Sequence, residues 1–469
     1  MPETICKPPL LLSLVLLVAG CTGTLEERAE DGVSRTGVIG VEPVHLTPDY
    51  WARRAPRAKA VVMTADEIAR QNERLEQSDK SVRNLELLPA TLTAAEVRQW
   101  IEAVSARPER TLYDERGREV SAARLDGWLA DLNLEAIPAS QPTRFGMVVR
   151  RADLRTFPTR TRVFSSTDDT DIDRFQEHAL FPGTPVAIAH ASRDGAWLFV
   201  VSALYSAWME KDAVAEGSRD KVFAYARKTP YLVVTGARVH TVFTPERPEV
   251  SNVQLEMGTR VPVLAQWPAE TPVNGQHPYT AHVIELPYRD ADGALRFSPA
   301  LLPRTQEVRS DYLPLTRENI IRQAFKFLGE RYGWGHSYDA RDCSGFVSEV
   351  YRSFGVRLPR NTRDQGVSPA FNRIALTAAD DYGKRVELLR QAQVGDLIYI
   401  PGHVMMVIGQ ERDGPYVIHD TTGISFRRGA GDIERVRLNG VSVTPLLPLL
   451  VGEGRPMIDS IYSIQRIRH

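Results

Sequence analysis

Asp342-Cys343-Ser344-Gly345-Phe346-Val347-Ser348-Glu349-Val350-Tyr351 is the stretch from which the rest of this chain can be read. Phe346, Val347, Val350, Tyr351 and Phe354 recur at helical spacing and Gly355 follows them, so the spacing predicts a helix that begins at the cysteine. The first N–H groups of a helix carry no internal partner and leave partial positive charge there, which favours a thiolate over a thiol. A nearby imidazolium adds to this effect, and together such surroundings bring a thiol to roughly 3.5–7.5. Cys343 is therefore the candidate nucleophile, and Gly345 leaves room for another segment to approach it closely.

The histidine that a cysteine nucleophile needs must come from elsewhere in the fold. Downstream, 397–400, 404–408 and 416–418 are short apolar runs of strand type, and Gly402-His403-Val404 places His403 at the start of one of them. His403 is the candidate base. A third polar group should orient its ring, and a neighbouring antiparallel strand is a rigid place to supply one. Tyr416-Val417-Ile418-His419-Asp420 offers two candidates, but adjacent strand residues point to opposite faces, and His419 is chosen over Asp420. Upstream, Ile320, Ile321, Ala324, Phe325 and Leu328 share one helical face behind the cap candidate Thr316, so a mixed α+β domain is expected over 310–469.

Working outward to the N-terminus, 10–19 is an apolar run preceded by Lys7, too short to span a bilayer and suited to the core of an export signal. Val18-Ala19-Gly20-Cys21 resembles the lipobox of bacterial lipoproteins, so cleavage after residue 20 and lipidation of Cys21 are expected. Thr22 matches the pattern sorted to the outer membrane. Residues 21–43 are polar and aperiodic, as in a flexible tether. Helix-start chemistry at Thr64-Ala65-Asp66-Glu67 and at Thr91-Leu92-Thr93-Ala94-Ala95-Glu96 points to a small helical domain over 44–138. Beyond it the texture turns to short strands broken by turn residues, in two consecutive units at 139–222 and 223–309, each expected to be a small β-barrel.

Composition narrows the function classes. With 58 basic against 59 acidic residues the net charge is −1, so no overall field draws the chain to nucleic acid. The cysteines are three, and Cys6 and Cys21 flank the signal segment, so Cys343 is the only thiol of the folded part and no disulfide framework is expected.

Tyr332-Gly333-Trp334-Gly335, Asp342-Cys343-Ser344-Gly345-Phe346, Gly395-Asp396-Leu397 and Gly402-His403-Val404 together resemble the NlpC-type family of papain-like cell-wall cysteine peptidases, in which cysteine, histidine and histidine follow in this order. Asp153-Leu154-Arg155-Thr156-Phe157-Pro158 and the surroundings of Trp197 and Trp208 resemble the bacterial SH3-like modules of one subgroup. His336 stands where the family often has a second glycine. The resemblance implies a papain-like catalytic domain behind two SH3-like barrels. It also implies hydrolysis, without a cofactor, of the bond between γ-D-glutamate and a diamino acid, commonly meso-diaminopimelate, in peptidoglycan stem peptides. Carried over to this chain, Tyr332 helps form the oxyanion region and Trp334 walls the cleft. Asp342 binds the free amino group of an N-terminal L-alanine, Ser344 bonds the substrate backbone, and Tyr205, ahead of Glu210, is the contact from the first barrel. The implied place is the periplasmic face of the outer membrane.

Two other readings compete. One cysteine and two histidines can hold a catalytic zinc, but the short ligand spacings of such sites are missing, so no metal is expected. A non-catalytic wall-binding lipoprotein would keep the β units and need no reactive thiol. The complete set of Cys343, His403 and His419 favours the enzyme.

Overall fold

The computed structural model describes residues 36–429 and 431–468. The signal segment, Cys6, Cys21 and most of the expected tether lie outside the described residues.

The C-terminal domain is built on a six-stranded antiparallel sheet in the order Asn372–Ala375, Ser463–Arg466, Leu397–Ile400, His403–Glu411, Gly414–Thr421 and Gly440–Pro445. Its strands are apolar on both faces because both are covered. Val404, Met406, Ile408 and Ile418 pack with the helices Arg317–Phe325 and Cys343–Arg352, whereas Met405, Val407 and Val417 pack on the opposite side. The helix begins at Cys343 as its spacing predicts, with Asp342 as its N-cap and Gly355 in the left-handed region at φ 82°.

The expected helices of 44–138 form where their caps place them. Thr64 and Thr93 each accept from the third residue of the helices Ala65–Ser78 and Ala94–Glu102, and Glu67 and Glu96 reach back to close capping boxes. Their apolar faces, however, divide between two cores rather than sharing one. Trp51, Met63, Ile68 and Leu75 join the catalytic core, and Val61–Met63 pairs antiparallel with Leu315–Thr316. Val97, Ile101 and Trp128 instead cover the first β unit.

That β unit is a seven-stranded antiparallel sheet in the order Val214–Gly217, Arg144–Val148, Pro185–Ala191, Trp197–Val201, Ser206–Glu210, Ala152–Arg155 and Gln176–Leu180. Among the described residues its edge strands, Val214–Gly217 and Gln176–Leu180, do not pair with each other, so the hydrogen-bond ladder is not closed. Both faces are apolar: Val200, Ala207 and Met209 line one, and Phe199, Val201 and Trp208 line the helix-covered other. The second unit combines the three-stranded sheet Arg260–Pro262, Tyr231–Val234 and Val308–Arg309 with two hairpin-like pairs, the longer being Ala281–Arg289 with Leu295–Pro303.

Candidate active site

Cys343 sits at the first turn of its helix, 5% exposed, with Sγ 4.0 Å from the carbonyl oxygen of Gly402 and beside the N–H of Val404. The two residues flanking His403 thus touch the sulfur. His403 Nε2 lies 2.8 Å from His419 Nδ1, and His419 Nε2 lies 3.0 Å from the hydroxyl of Thr444. With Nε2 engaged, Nδ1 is the His403 nitrogen left for the thiol. Asp420 sits on the other face of its strand, as alternation requires; it is fully buried, and neither carboxylate oxygen has a hydrogen-bond partner.

The resting electrostatics differ from the expected thiolate. Burial pushes the Cys343 thiol up to about 12, and the Asp342 carboxylate adds to the effect. Burial also holds His403 down to about 4 and His419 well below the ordinary histidine value. Burial thus favours the neutral thiol and the neutral imidazoles over either charged form taken alone, outweighing the helix terminus. Each charge alone is disfavoured here, so ionisation has to occur as a pair, one proton passing from Sγ to His403.

Asp342 is buried and tied down. Its Oδ1 accepts from the Gly345 N–H at 2.8 Å and from the Ser344 hydroxyl at 3.1 Å, and its Oδ2 lies 2.6 Å from Arg360 Nη2. Burial raises its carboxyl, but the Arg360 guanidinium outweighs that and holds it at about 2. Arg360 Nη1 also donates to Ser344 Oγ at 2.8 Å, so the Ser344 hydroxyl is already engaged. Tyr332 is buried, and burial followed by the neighbouring Cys343 and Asp342 charges drives its phenol far up, leaving it a protonated donor. Trp334 donates Nε1–H to the Gln176 carbonyl at 3.0 Å, so the first β unit positions this wall of the cleft.

Tyr205 lies in the turn before Ser206–Glu210, and its hydroxyl donates to Glu177. Glu210 pairs instead with Arg150 and Arg160 on the outer rim. His336 is buried at φ 67°, with Nδ1 3.3 Å from His178 Nδ1 and Nε2 3.4 Å from Glu349 Oε1. The close approach expected at Gly345 is made by this ring: a Cβ there would lie 2.3 Å from His336 Cε1.

Sequence reading missed Thr444, Arg360 and Glu177. Thr444 was findable in principle, since it lies diagonal to His419 on the partner strand, where His419 faces Ser442. Arg360, in Leu358-Pro359-Arg360-Asn361, carries no local signal of burial; its 5% exposure follows from the packing of the β unit, which contributes His178 and the Glu177 carbonyl to its bonds. Among the described residues no group of three or more His, Cys, Asp or Glu is arranged to hold a metal ion.

A thiol on a helix N-terminus, packed against both neighbours of a histidine that bonds a second histidine on the adjacent antiparallel strand, is an arrangement suited to a cysteine nucleophile. Residues 329–438 match the model of the NlpC/P60 family, and 162–210 match that of an SH3 domain of the SH3b1 type. The chain thus matches an NlpC/P60-type domain and, ahead of it, an SH3b-type domain, together over about a third of its length. It is 30% identical over 95 residues to dipeptidyl-peptidase 6 of Lysinibacillus sphaericus, a match covering 20% of this chain and 30% of that relative's length. Among solved structures it resembles an NlpC/P60 endopeptidase from Photobacterium damselae subsp. piscicida, with TM-score 0.69 and 16% identity over 86% of this chain and 93% of that one. An NlpC/P60 family protein from Bacillus cereus matches with TM-score 0.42 and 20% identity, over 69% of this chain and 99% of the other.

Proposed function

We propose that this chain hydrolyses peptidoglycan stem peptides between γ-D-glutamate and a diamino acid, with Cys343 as nucleophile, His403 as acid and base, and His419 as the orienting group. The observation that carries the reading is the chain of contacts from the Cys343 sulfur, packed against Gly402 and Val404, to His403, His419 and Thr444.

Sγ attacks the γ-carbonyl carbon while its proton passes to His403 Nδ1. The oxyanion is met by donors at the helix terminus and by the protonated Tyr332 hydroxyl. Collapse breaks the C–N bond as His403 returns the proton to the leaving amine. Water, deprotonated by the same imidazole, then cleaves the thioester and restores the thiol. His419 holds the His403 ring, and Thr444 fixes which nitrogen of His419 faces it.

The free-N-terminus preference rests on charge. Arg360 neutralises Asp342, and the Glu177 carboxylate beside Tyr205 remains to attract an ammonium, so this end of the cleft keeps a net negative character. The two β units act as SH3-like barrels, the first walling the cleft through Gln176, Glu177 and Tyr205. Anchorage through Cys21 places the enzyme at the periplasmic face of the outer membrane, in the cell envelope. Incubation of the purified chain with L-Ala-γ-D-Glu-diaminopimelate and analysis of products tests the reading: release of L-Ala-D-Glu by the wild type but not by Cys343→Ala is expected. Tight wall binding with no product would turn the reading toward a non-catalytic binder.

A further inference from the structure

We infer that Arg435 reads a carboxylate on the diamino acid that leaves, and so selects substrates whose leaving group carries a free acid. The inference rests on the proposed peptidase reading and concerns the opposite side of the cut from Asp342.

His403 must return its proton to the leaving nitrogen, so the leaving group has to occupy space that His403 faces. Such space exists: a cavity of 740 Å³ has His403, Tyr332 and Trp334 in its lining together with Ser425 and Arg435, while Asp342, Ser344, Tyr205 and Arg360 lie outside its lining. Ile172 and Leu450, both half-buried in its lining, supply apolar contact that suits the methylene chain of a diamino acid.

The charges lining this cavity are unequally engaged. Asp171 takes the guanidinium groups of Arg331 and Arg437 and the amide of Asn439, which spends Arg437. Asp169, on the same wall, accepts the Asp171 N–H at 3.2 Å and makes no ion pair with Arg435. Arg435 is exposed and, among the described residues, its guanidinium has neither an ion pair nor a hydrogen bond. It is nonetheless rigidly carried, on the strand Ile433–Val436, directly opposite Ser425 of Ile424–Arg427. A planar guanidinium beside a hydroxyl, on paired strands lining a pocket shared with His403, matches a carboxylate by two parallel hydrogen bonds. A lysine-type ammonium at that end of the leaving group would meet repulsion instead.

The test uses the full chain and two versions of L-Ala-γ-D-Glu-diaminopimelate, one with the free carboxyls of diaminopimelate and one with both amidated. The wild type is expected to cut the acid with kcat/KM roughly tenfold or more above the amide, the size of a charge-assisted bond. Arg435→Gln should bring the acid down to the level of the amide and leave the amide unchanged, and Arg435→Lys should retain part of the preference. Equal cutting of acid and amide by the wild type overturns the inference, as does a proportionate loss on both in Arg435→Gln. If the wild type cuts neither peptide, the peptidase reading itself fails and the inference falls with it.

Discussion

Cys343 and His403 are each disfavoured in their charged forms by burial, which has a kinetic consequence. His403 must be neutral to accept the thiol proton, and its lowered value keeps it neutral well below pH 6.5. The acid limb of kcat/KM is therefore expected to move down toward pH 4, and a limb at or above 6.5 would contradict the burial argument. The same shift acts on stability. The unfolded chain binds at 6.5 a proton that the folded chain refuses until about 4, so unfolding becomes easier as pH falls through that window. His403→Ala should cost roughly 10²–10⁴-fold in kcat. His419→Ala should cost less, because His419 orients the ring without carrying the proton. Thr444→Val, isosteric but lacking the hydroxyl, should lower kcat severalfold with KM unchanged, and its acid limb should shift because the His419 tautomer is no longer fixed. An unchanged pH profile would leave Thr444 a packing residue only.

The helix Cys343–Arg352 is positioned less by its own propensity than by what lies against its first turn. His336 packs so closely on Gly345 that a methyl group has no space, and the ring is confined by His178, 3.3 Å from its Nδ1, and by the buried Glu349 carboxylate, 3.4 Å from its Nε2. Gly345→Ala is therefore expected to displace the loop Trp334–Asp339 and with it the cleft wall, lowering kcat/KM at least tenfold, which steady-state kinetics on the stem peptide would show. Arg360 acts at the same helix start. Arg360→Met leaves the Asp342 carboxylate buried without its cation, at a cost of about 3–5 kcal/mol, and a thermal melt should register the loss. The helix and the strand carrying His403 were legible in the sequence because each is written in local periodicity, whereas Asp342 was read as a substrate contact and proves to be the helix cap. The Arg360 and His336 contacts were not legible, because both are completed by His178, a residue of another domain.

Across the whole molecule, the catalytic domain is finished by segments far from it in the chain. Trp51, Met63, Ile68 and Leu75 fill its core, and Val61–Met63 pairs with Leu315–Thr316. A truncated chain beginning near residue 310 is accordingly expected to expose apolar surface and fail to melt cooperatively, whereas a chain beginning at residue 36 should do so; equal melts would refute the shared core. The first β unit contributes differently, by building the cleft. Gln176 donates to the Gly335 carbonyl and to Asp153, both at 2.9 Å, while its own carbonyl receives Trp334. Gln176→Ala should raise KM more than it lowers kcat, since it loosens a wall and touches no reacting atom.

The amino-acid sequence by itself determined the α+β catalytic domain, the order Cys343, His403, His419, and the helix on whose first turn the sulfur sits. These follow from periodicity, caps and alternation, which act over a few residues. Tertiary structure decided how the early helices are shared between two cores, that Arg360 pairs with Asp342, and that burial works against the thiolate. Those outcomes depend on burial and on charges brought together from distant segments, and desolvation is a property of the packed molecule rather than of any stretch of chain.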